Sequence, residues 1–100
     1  MKRPRYTRSA RDDLRDILEY YSEYSERYAV KLLDDLIHGC RFAATHPGTG
    51  RDRHDCGFNI RSRPVNDYLV YFRKEKSMVW FQRVIHGARD VSVSDFLNLD

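Results

Sequence analysis

Apolar residues recur at helical spacing in the first half of the chain. The first set follows steps of four, three, four and three: Ala10, Leu14, Ile17, Tyr21 and Tyr24. This spacing places one apolar face on a helix and predicts that helix over residues 10–24. Ser9 offers an N-cap for it. Asp12 and Asp13 would then lie in the first turn, where the helix dipole favours carboxylates.

A second stripe with the same period follows after a short polar break at Ser25. Its members are Ala29, Leu32, Leu33, Leu36, Ile37, Cys40, Ala43 and Ala44. They predict a helix over residues 26–45. The sequence His46-Pro47-Gly48 ends it, because proline disfavours helix at the residue before it and glycine follows. Two helices with so short a break predict a helical hairpin.

The second half of the chain has the two-residue period of strands. In residues 58–63, Phe58, Ile60 and Ser62 alternate with Asn59, Arg61 and Arg63. A turn at residues 64–67 precedes a strand at 68–73, which is rich in aromatic and β-branched residues. Residues 78–85 have apolar side chains at both odd and even positions, and therefore on both faces of a strand, which predicts a central strand. Residues 4–7 predict a first strand, and residues 92–97 a short terminal helix capped by Ser92.

These elements predict an α+β fold in a single domain spanning residues 1–100. An N-terminal strand precedes an α-helical hairpin, which packs on an antiparallel sheet of three to four strands in the order β-α-α-β-β-β. The helices are expected to cover one face of the sheet. The other face would carry Asn59, Arg61 and Arg63 and serve as a flat platform for a partner.

Charge is unevenly distributed along the chain. The net charge of +3 combines +4 in residues 1–8, −4 in residues 9–40, +5 in residues 41–90 and −2 in the last ten. Fourteen of the eighteen basic residues are arginine, whose planar guanidinium suits phosphates and carboxylates. The basic segments therefore indicate a surface for a polyanion or an acidic protein, with an ordinary solvated surface as the alternative.

Composition also excludes several classes of protein. No run of 18 apolar residues occurs, so no membrane span is expected. No apolar region follows the basic residues 1–5, which argues against a secretory signal. Two cysteines are too few for a disulfide framework, and we expect a reduced cytoplasmic protein.

No cofactor or metal site is predicted. His54, Asp55 and Cys56 are adjacent, but a loop with polar neighbours explains them more simply than a metal site does. The pairs Asp12-Asp13 and Asp34-Asp35 point apart on a helix and so form no acid–base pair.

The remaining candidates are basic side chains of the predicted sheet: Arg61, Arg63, Arg73, Arg83, His86 and Arg89. Three interpretations stay open from the residues alone. They could hold RNA and support attack by a 2′-hydroxyl. They could dock on an acidic protein surface. They could also form internal ion pairs with acidic neighbours such as Asp67, Glu75 and Asp90.

Four segments resemble the ParE-type toxins of the RelE/ParE superfamily, in order and spacing. They are Ala10-Arg11-Asp12-Asp13-Leu14-Arg15-Asp16-Ile17, Pro47-Gly48-Thr49-Gly50-Arg51-Asp52-Arg53, Arg61-Ser62-Arg63-Pro64-Val65 with Tyr68-Leu69-Val70-Tyr71-Phe72-Arg73, and Arg83-Val84-Ile85-His86-Gly87-Ala88-Arg89-Asp90. The resemblance implies the toxin of a type II toxin–antitoxin pair, with a cognate antitoxin as partner. ParE-type toxins bind DNA gyrase without catalytic residues, whereas RelE-type toxins cleave mRNA on the ribosome.

The resemblance also assigns roles to residues. Arg61 and Arg89 match two basic positions of RelE-like nucleases, and His86 could act as a base, but Asn59 and Tyr68 stand where further basic residues are expected. The resemblance therefore favours the gyrase-binding branch, with the six basic side chains above as the target surface and no catalytic residue. Tyr20, Tyr24 and Tyr28 are candidates for antitoxin contact, since they lie near the hairpin turn, with ordinary packing at the tip of the hairpin as the alternative. A ribosome-dependent nuclease using Arg61, His86 and Arg89, or a binding module without toxicity, are the alternatives.

Overall fold

The computed structural model describes residues 3–97 and Leu99. Its elements, in chain order, are β1 (Pro4–Tyr6), α1 (Arg8–Ser22), α2 (Glu26–Thr45), β2 (Arg51–Asp52), β3 (Ile60–Val65), β4 (Tyr68–Glu75) and β5 (Met78–His86), with 3-10 turns at Pro47–Thr49 and Val93–Phe96. This is the predicted α+β fold, a helical hairpin on a sheet. Lys2, part of the basic N-terminal segment, lies outside the described residues.

Thr7 rather than Ser9 caps α1. Its hydroxyl accepts a hydrogen bond from the Ala10 amide at 3.0 Å and donates one to the Gln82 carbonyl at 2.9 Å. The cap therefore joins the helix to β5 and starts the helix at Arg8, two residues before the predicted start. Asp12 and Asp13 consequently fall beyond the first turn, and the prediction that the helix dipole accounts for them is wrong.

The strands form one five-stranded mixed sheet in the order β1-β5-β4-β3-β2. The long strands β3, β4 and β5 pair antiparallel as predicted, while β1 lies parallel to β5. The turn between β3 and β4 is shorter than predicted, because Pro64 and Val65 still pair with Leu69 and Tyr68. Asn66 makes this short turn with a φ of 54°, a conformation that asparagine tolerates.

The sheet differs from the prediction at its β2–β3 edge. The two-residue strand β2 was not predicted, since Arg51 and Asp52 have too short a pattern to show a strand period. Strand β3 begins at Ile60 rather than Phe58, because Asn59 adopts a φ of 62° that breaks the extended conformation. Phe58 therefore lies in a loop and is 83% exposed.

Both faces of the sheet carry a hydrophobic cluster. On the helix side, residues of α1 and α2 such as Leu14 and Leu36 pack against Val70, Phe72 and Phe81. On the opposite side a smaller cluster joins buried residues of the sheet and the C-terminal segment: Cys56, Ile60, Tyr71, Ile85 and Phe96. The C-terminal segment forms a 3-10 turn rather than the predicted α-helix, and it covers part of the face that was expected to be bare.

The helices of the described chain include none that is both long and apolar enough to cross a lipid bilayer.

Candidate functional site

Arg83 is tied to α1 by a bidentate ion pair. Its Nε lies 2.7 Å and its second terminal nitrogen 3.0 Å from the carboxylate of Asp13. The same carboxylate accepts the backbone N–H of Val84 at 2.9 Å, so Asp13 pins the helix to β5. The hydrogen bond to Asp13 raises the pKa of Arg83 above its ordinary value, despite partial burial. Most of the hydrogen-bond donors of Arg83 are thus already bonded to acceptors inside the protein.

His86 and Arg89 lie at the end of β5. Arg89 donates a hydrogen bond to the carboxylate of Asp95, which also accepts the backbone N–H of Ser92 at 3.0 Å. The Nδ1 atom of His86 accepts the Ala88 amide at 3.1 Å, and the ring stands edge-on to Tyr68 at 5.1 Å. Both His86 and Arg89 remain exposed to solvent. This end of the sheet is therefore a basic, accessible corner whose shape is held by local hydrogen bonds.

Arg61 and Arg63 lie on the helix side of the sheet, and the prediction that they face away from the helices is wrong. Arg61 pairs in register with Phe72 of the helix-side cluster and donates to the Gly50 carbonyl at 3.0 Å. Arg63 places its guanidinium 4.3 Å from the ring centre of Phe42 on α2 and donates to Thr49 at 3.2 Å. Side chains do alternate between the two faces along β3, but alternation alone does not determine which face the helices cover.

Arg73 occupies a third location. It lies on β4 between Ile60 and Trp80 in register, on the face away from the helices. Its terminal nitrogen is 3.7 Å from the Glu75 carboxylate, and its buried Nε has no hydrogen-bond partner among the described residues. Arg83 belongs with Arg89, because both donate hydrogen bonds to Asp95. The six basic side chains are therefore divided over three places and do not form one cluster.

The four tyrosines near the hairpin turn form a continuous aromatic patch. Tyr20 is 57%, Tyr24 74% and Tyr28 52% exposed. The ring of Tyr20 lies 5.5 Å from that of Tyr24 and 4.9 Å from that of Tyr21, which in turn lies 5.4 Å from Tyr28. We call these four residues the tyrosine patch. It is the largest group of exposed aromatic rings in contact on the described chain, and such groups are enriched at protein interfaces.

Sequence reasoning missed two members of these surfaces. Tyr21 was assigned to the apolar stripe, yet it links the tyrosine patch to the sheet through a 3.4 Å hydrogen bond from the Tyr68 hydroxyl. Phe42 was not singled out, although it lies between Arg63 and the ring of His46, which stacks on it at 4.3 Å. The available signal in the sequence was a phenylalanine outside the apolar stripe of α2, four residues before a histidine.

His54, Asp55 and Cys56 do not converge. Asp55 pairs with Arg53 at 3.0 Å, which holds the pKa of its carboxyl below the usual range, while Cys56 is buried. Burial raises the pKa of the Cys40 thiol to about 12. Over residues 3–97 and Leu99, no group of three or more His, Cys, Asp and Glu side chains is placed to hold a metal ion.

Comparison with known protein families shows to which family this chain belongs. The family model described as ParE toxin of type II toxin-antitoxin system, parDE, matches residues 5–91. The chain belongs to the ParE toxin family. This confirms the resemblance read from the four sequence segments, and it makes the protein a toxin of the type II toxin–antitoxin class, whose members are paired with an antitoxin.

A solved structure shares the fold of this ParE toxin. It is the chromosomal ParDE toxin–antitoxin system from P. aeruginosa, with a TM-score of 0.74 and 19% sequence identity, covering 86% of this chain and 96% of that chain. Among curated proteins no match was found.

Proposed function

We propose that this ParE toxin, when free of its antitoxin, inhibits DNA gyrase by binding to it and makes or breaks no covalent bond. The antitoxin would neutralise it by covering the tyrosine patch. Membership of the ParE family supports the gyrase target over the ribosome. The non-catalytic part of the proposal is supported by the separation of Arg61 from His86, two of the three residues that a nuclease mechanism would need.

Arg61 and His86 lie in different cross-strand rows. Arg61 pairs with Phe72, whereas His86 pairs with Tyr68, four residues earlier on β4. At about 3.3 Å per residue, the two rows are about 13 Å apart along the strands. General acid–base catalysis needs its groups within hydrogen-bond reach of the same substrate atoms, about 3 Å. This separation favours a binding surface over an active site.

Two accessible basic surfaces are available for the target. One consists of Arg61 and Arg63 beside Phe42, and the other of His86 and Arg89 at the end of β5. We assign target contact to these four side chains and a structural role to Arg83, because Arg83 already binds Asp13. Charged surface groups of this kind steer a partner and set the orientation of the complex.

Induction of the toxin in bacteria tests this proposal. We expect growth arrest with an induced DNA damage response, while protein synthesis continues at first. The double variant Arg61→Gln, Arg63→Gln should need roughly 100-fold more toxin for the same arrest, since each interface charge that is lost weakens binding by about 1.4 kcal/mol, or about tenfold.

Arg27→Gln is the matched control, because it removes one exposed charge at the start of α2 and should leave the arrest unchanged. Early loss of protein synthesis together with cleaved mRNA would instead place the chain among ribosome-dependent nucleases, provided that the His86→Ala variant no longer cleaves mRNA.

A further inference from the structure

A row of three side chains crosses the sheet on the face away from the helices. Arg5 of β1, Trp80 of β5 and Arg73 of β4 are paired in register. Residues in register on neighbouring strands project to the same side, about 4.8 Å apart per strand. Trp80 therefore has a guanidinium-bearing side chain on each side. We call these residues the Trp80 row.

The row lies outside the hydrophobic cluster that covers the other part of this face. Arg5 is exposed, and Trp80 and Arg73 are partly exposed. Trp80 lines two shallow depressions, one of about 450 Å³ shared with Arg5 and Arg11 and one of about 470 Å³ shared with Lys76 and Met78. Space for flat groups is thus present on two sides of the indole.

The guanidinium groups of the row have little to bind within the protein. In the described part of the chain, Arg5 and Arg11 have no carboxylate within ion-pair distance, and Arg73 has only Glu75 at 3.7 Å. The buried Nε of Arg73 has no acceptor there. Arg11 and Lys76 line the two depressions and add positive charge beside the row, where Glu75 is the single carboxylate among the lining residues. The surface is complementary to a polyanion.

We propose that the Trp80 row binds single-stranded DNA, with bases stacked on the indole and backbone phosphates on Arg5 and Arg73. An aromatic ring flanked by basic side chains on an open sheet face is the combination that binds unpaired nucleic acids without regard to sequence. A duplex keeps its bases stacked inside and offers the indole no free base face. The choice of DNA over RNA rests on the proposed gyrase target, which acts on DNA.

The single tryptophan of the chain reports directly on this site. Titration of the purified toxin with a 12-nucleotide oligodeoxythymidine is expected to quench Trp80 fluorescence, with half saturation in the range of roughly 1–100 µM. Duplex DNA of equal length should bind without comparable quenching, and an RNA oligonucleotide of the same length should bind no more tightly than the DNA.

Variants are compared by the anisotropy of a fluorescein-labelled oligonucleotide. Trp80→Leu keeps an apolar side chain and should weaken binding about tenfold, whereas Trp80→Phe should retain most of the affinity because the ring remains. Arg5→Gln and Arg73→Gln should each lower the slope of log affinity against log salt concentration by about 0.7. Glu75→Gln should tighten binding, since the carboxylate competes with phosphate for Arg73.

Arg27→Gln is again the matched control and should bind like the parent protein. The proposal would be overturned if the oligonucleotide did not quench Trp80 fluorescence, or if Arg27→Gln and Arg73→Gln lost the same amount of affinity. It would also be overturned if the RNA bound more tightly than the DNA. No gyrase is present in this experiment, so a toxin that binds the oligonucleotide but fails to inhibit gyrase would refute the proposed function alone.

Discussion

An Asp13→Ala substitution is expected to lower the free energy of unfolding by about 3 kcal/mol, a large share of the stability of a domain this size. The Asp13 carboxylate is only 14% exposed and Arg83 only 18%. The substitution removes two hydrogen bonds from Arg83 and one from the Val84 amide. It also leaves the largely buried guanidinium with only the more distant Asp95 carboxylate, 4.0 Å away, as a counter-ion, which costs more than the loss of the contact itself. Urea unfolding followed by circular dichroism measures the change.

Asp12→Ala is the matched control for this effect. Asp12 is the neighbouring residue on α1, but its carboxylate is 44% exposed and pairs at 3.3 Å with Arg15, itself 61% exposed. Such surface pairs contribute little, so we expect a change within about 0.5 kcal/mol. In a double-mutant cycle with Arg83→Met, the coupling energy should be about 2 kcal/mol. Equal losses in Asp12→Ala and Asp13→Ala would contradict the account of how α1 is held to the sheet.

The second large effect is expected on antitoxin binding. The double variant Tyr20→Ala, Tyr24→Ala should weaken the complex with the cognate antitoxin about 1,000-fold, since each ring is expected to contribute the roughly 2 kcal/mol typical of an aromatic hot spot. The two rings are in contact and exposed, and a tyrosine ring loses little conformational entropy on binding, which suits them to fill a partner's pocket. The cognate antitoxin is expected in the neighbouring reading frame, and calorimetric titration measures its affinity.

Phe58→Ala provides the matched control, because Phe58 is 83% exposed and lies in the loop before β3, away from the tyrosine patch. It should leave the affinity unchanged. Since Tyr20 and Tyr24 are exposed, the double variant should also keep its stability within about 0.5 kcal/mol. Unchanged antitoxin affinity in a folded double variant would remove the tyrosine patch from the interface.

Sequence reasoning predicted the order of the elements and most of their boundaries. The stripe from Ala29 to Ala44 and the aromatic run from Tyr68 to Phe72 are long enough for their period to be unambiguous. The four sequence segments that resemble ParE toxins, together with these elements, were sufficient to predict the family and the fold. The spacing of apolar residues predicts helices and strands because an element that buries one face must place its apolar residues at the period of that element.

The parts that could not be predicted depend on contacts between distant residues. Thr7 caps α1 because it also reaches the Gln82 carbonyl, 75 residues later, so no local pattern could favour it over Ser9. Asp13 is likewise explained by Arg83, 70 residues away. The face on which Arg61 lies depends on where α2 packs, which alternation along β3 does not encode.

The candidate surfaces were predicted less well than the fold. The tyrosines of the hairpin turn could be selected from their position, but the role of Tyr21 in joining them to Tyr68 required the packed structure. The six basic side chains were expected on one surface and instead lie in three places. Side-chain partners within the protein, such as Asp95 for Arg89, decide how much of each charge remains available to a target.

Inhibition of gyrase by the purified toxin is the most direct test of the account. Added to gyrase at stoichiometric or higher concentration, the toxin is expected to abolish DNA supercoiling or to trap cleaved DNA, and the antitoxin should reverse the effect. A parallel reaction with translating ribosomes should leave mRNA intact. Gyrase that keeps its full activity in excess toxin, or messages cut at the ribosome, would contradict the account.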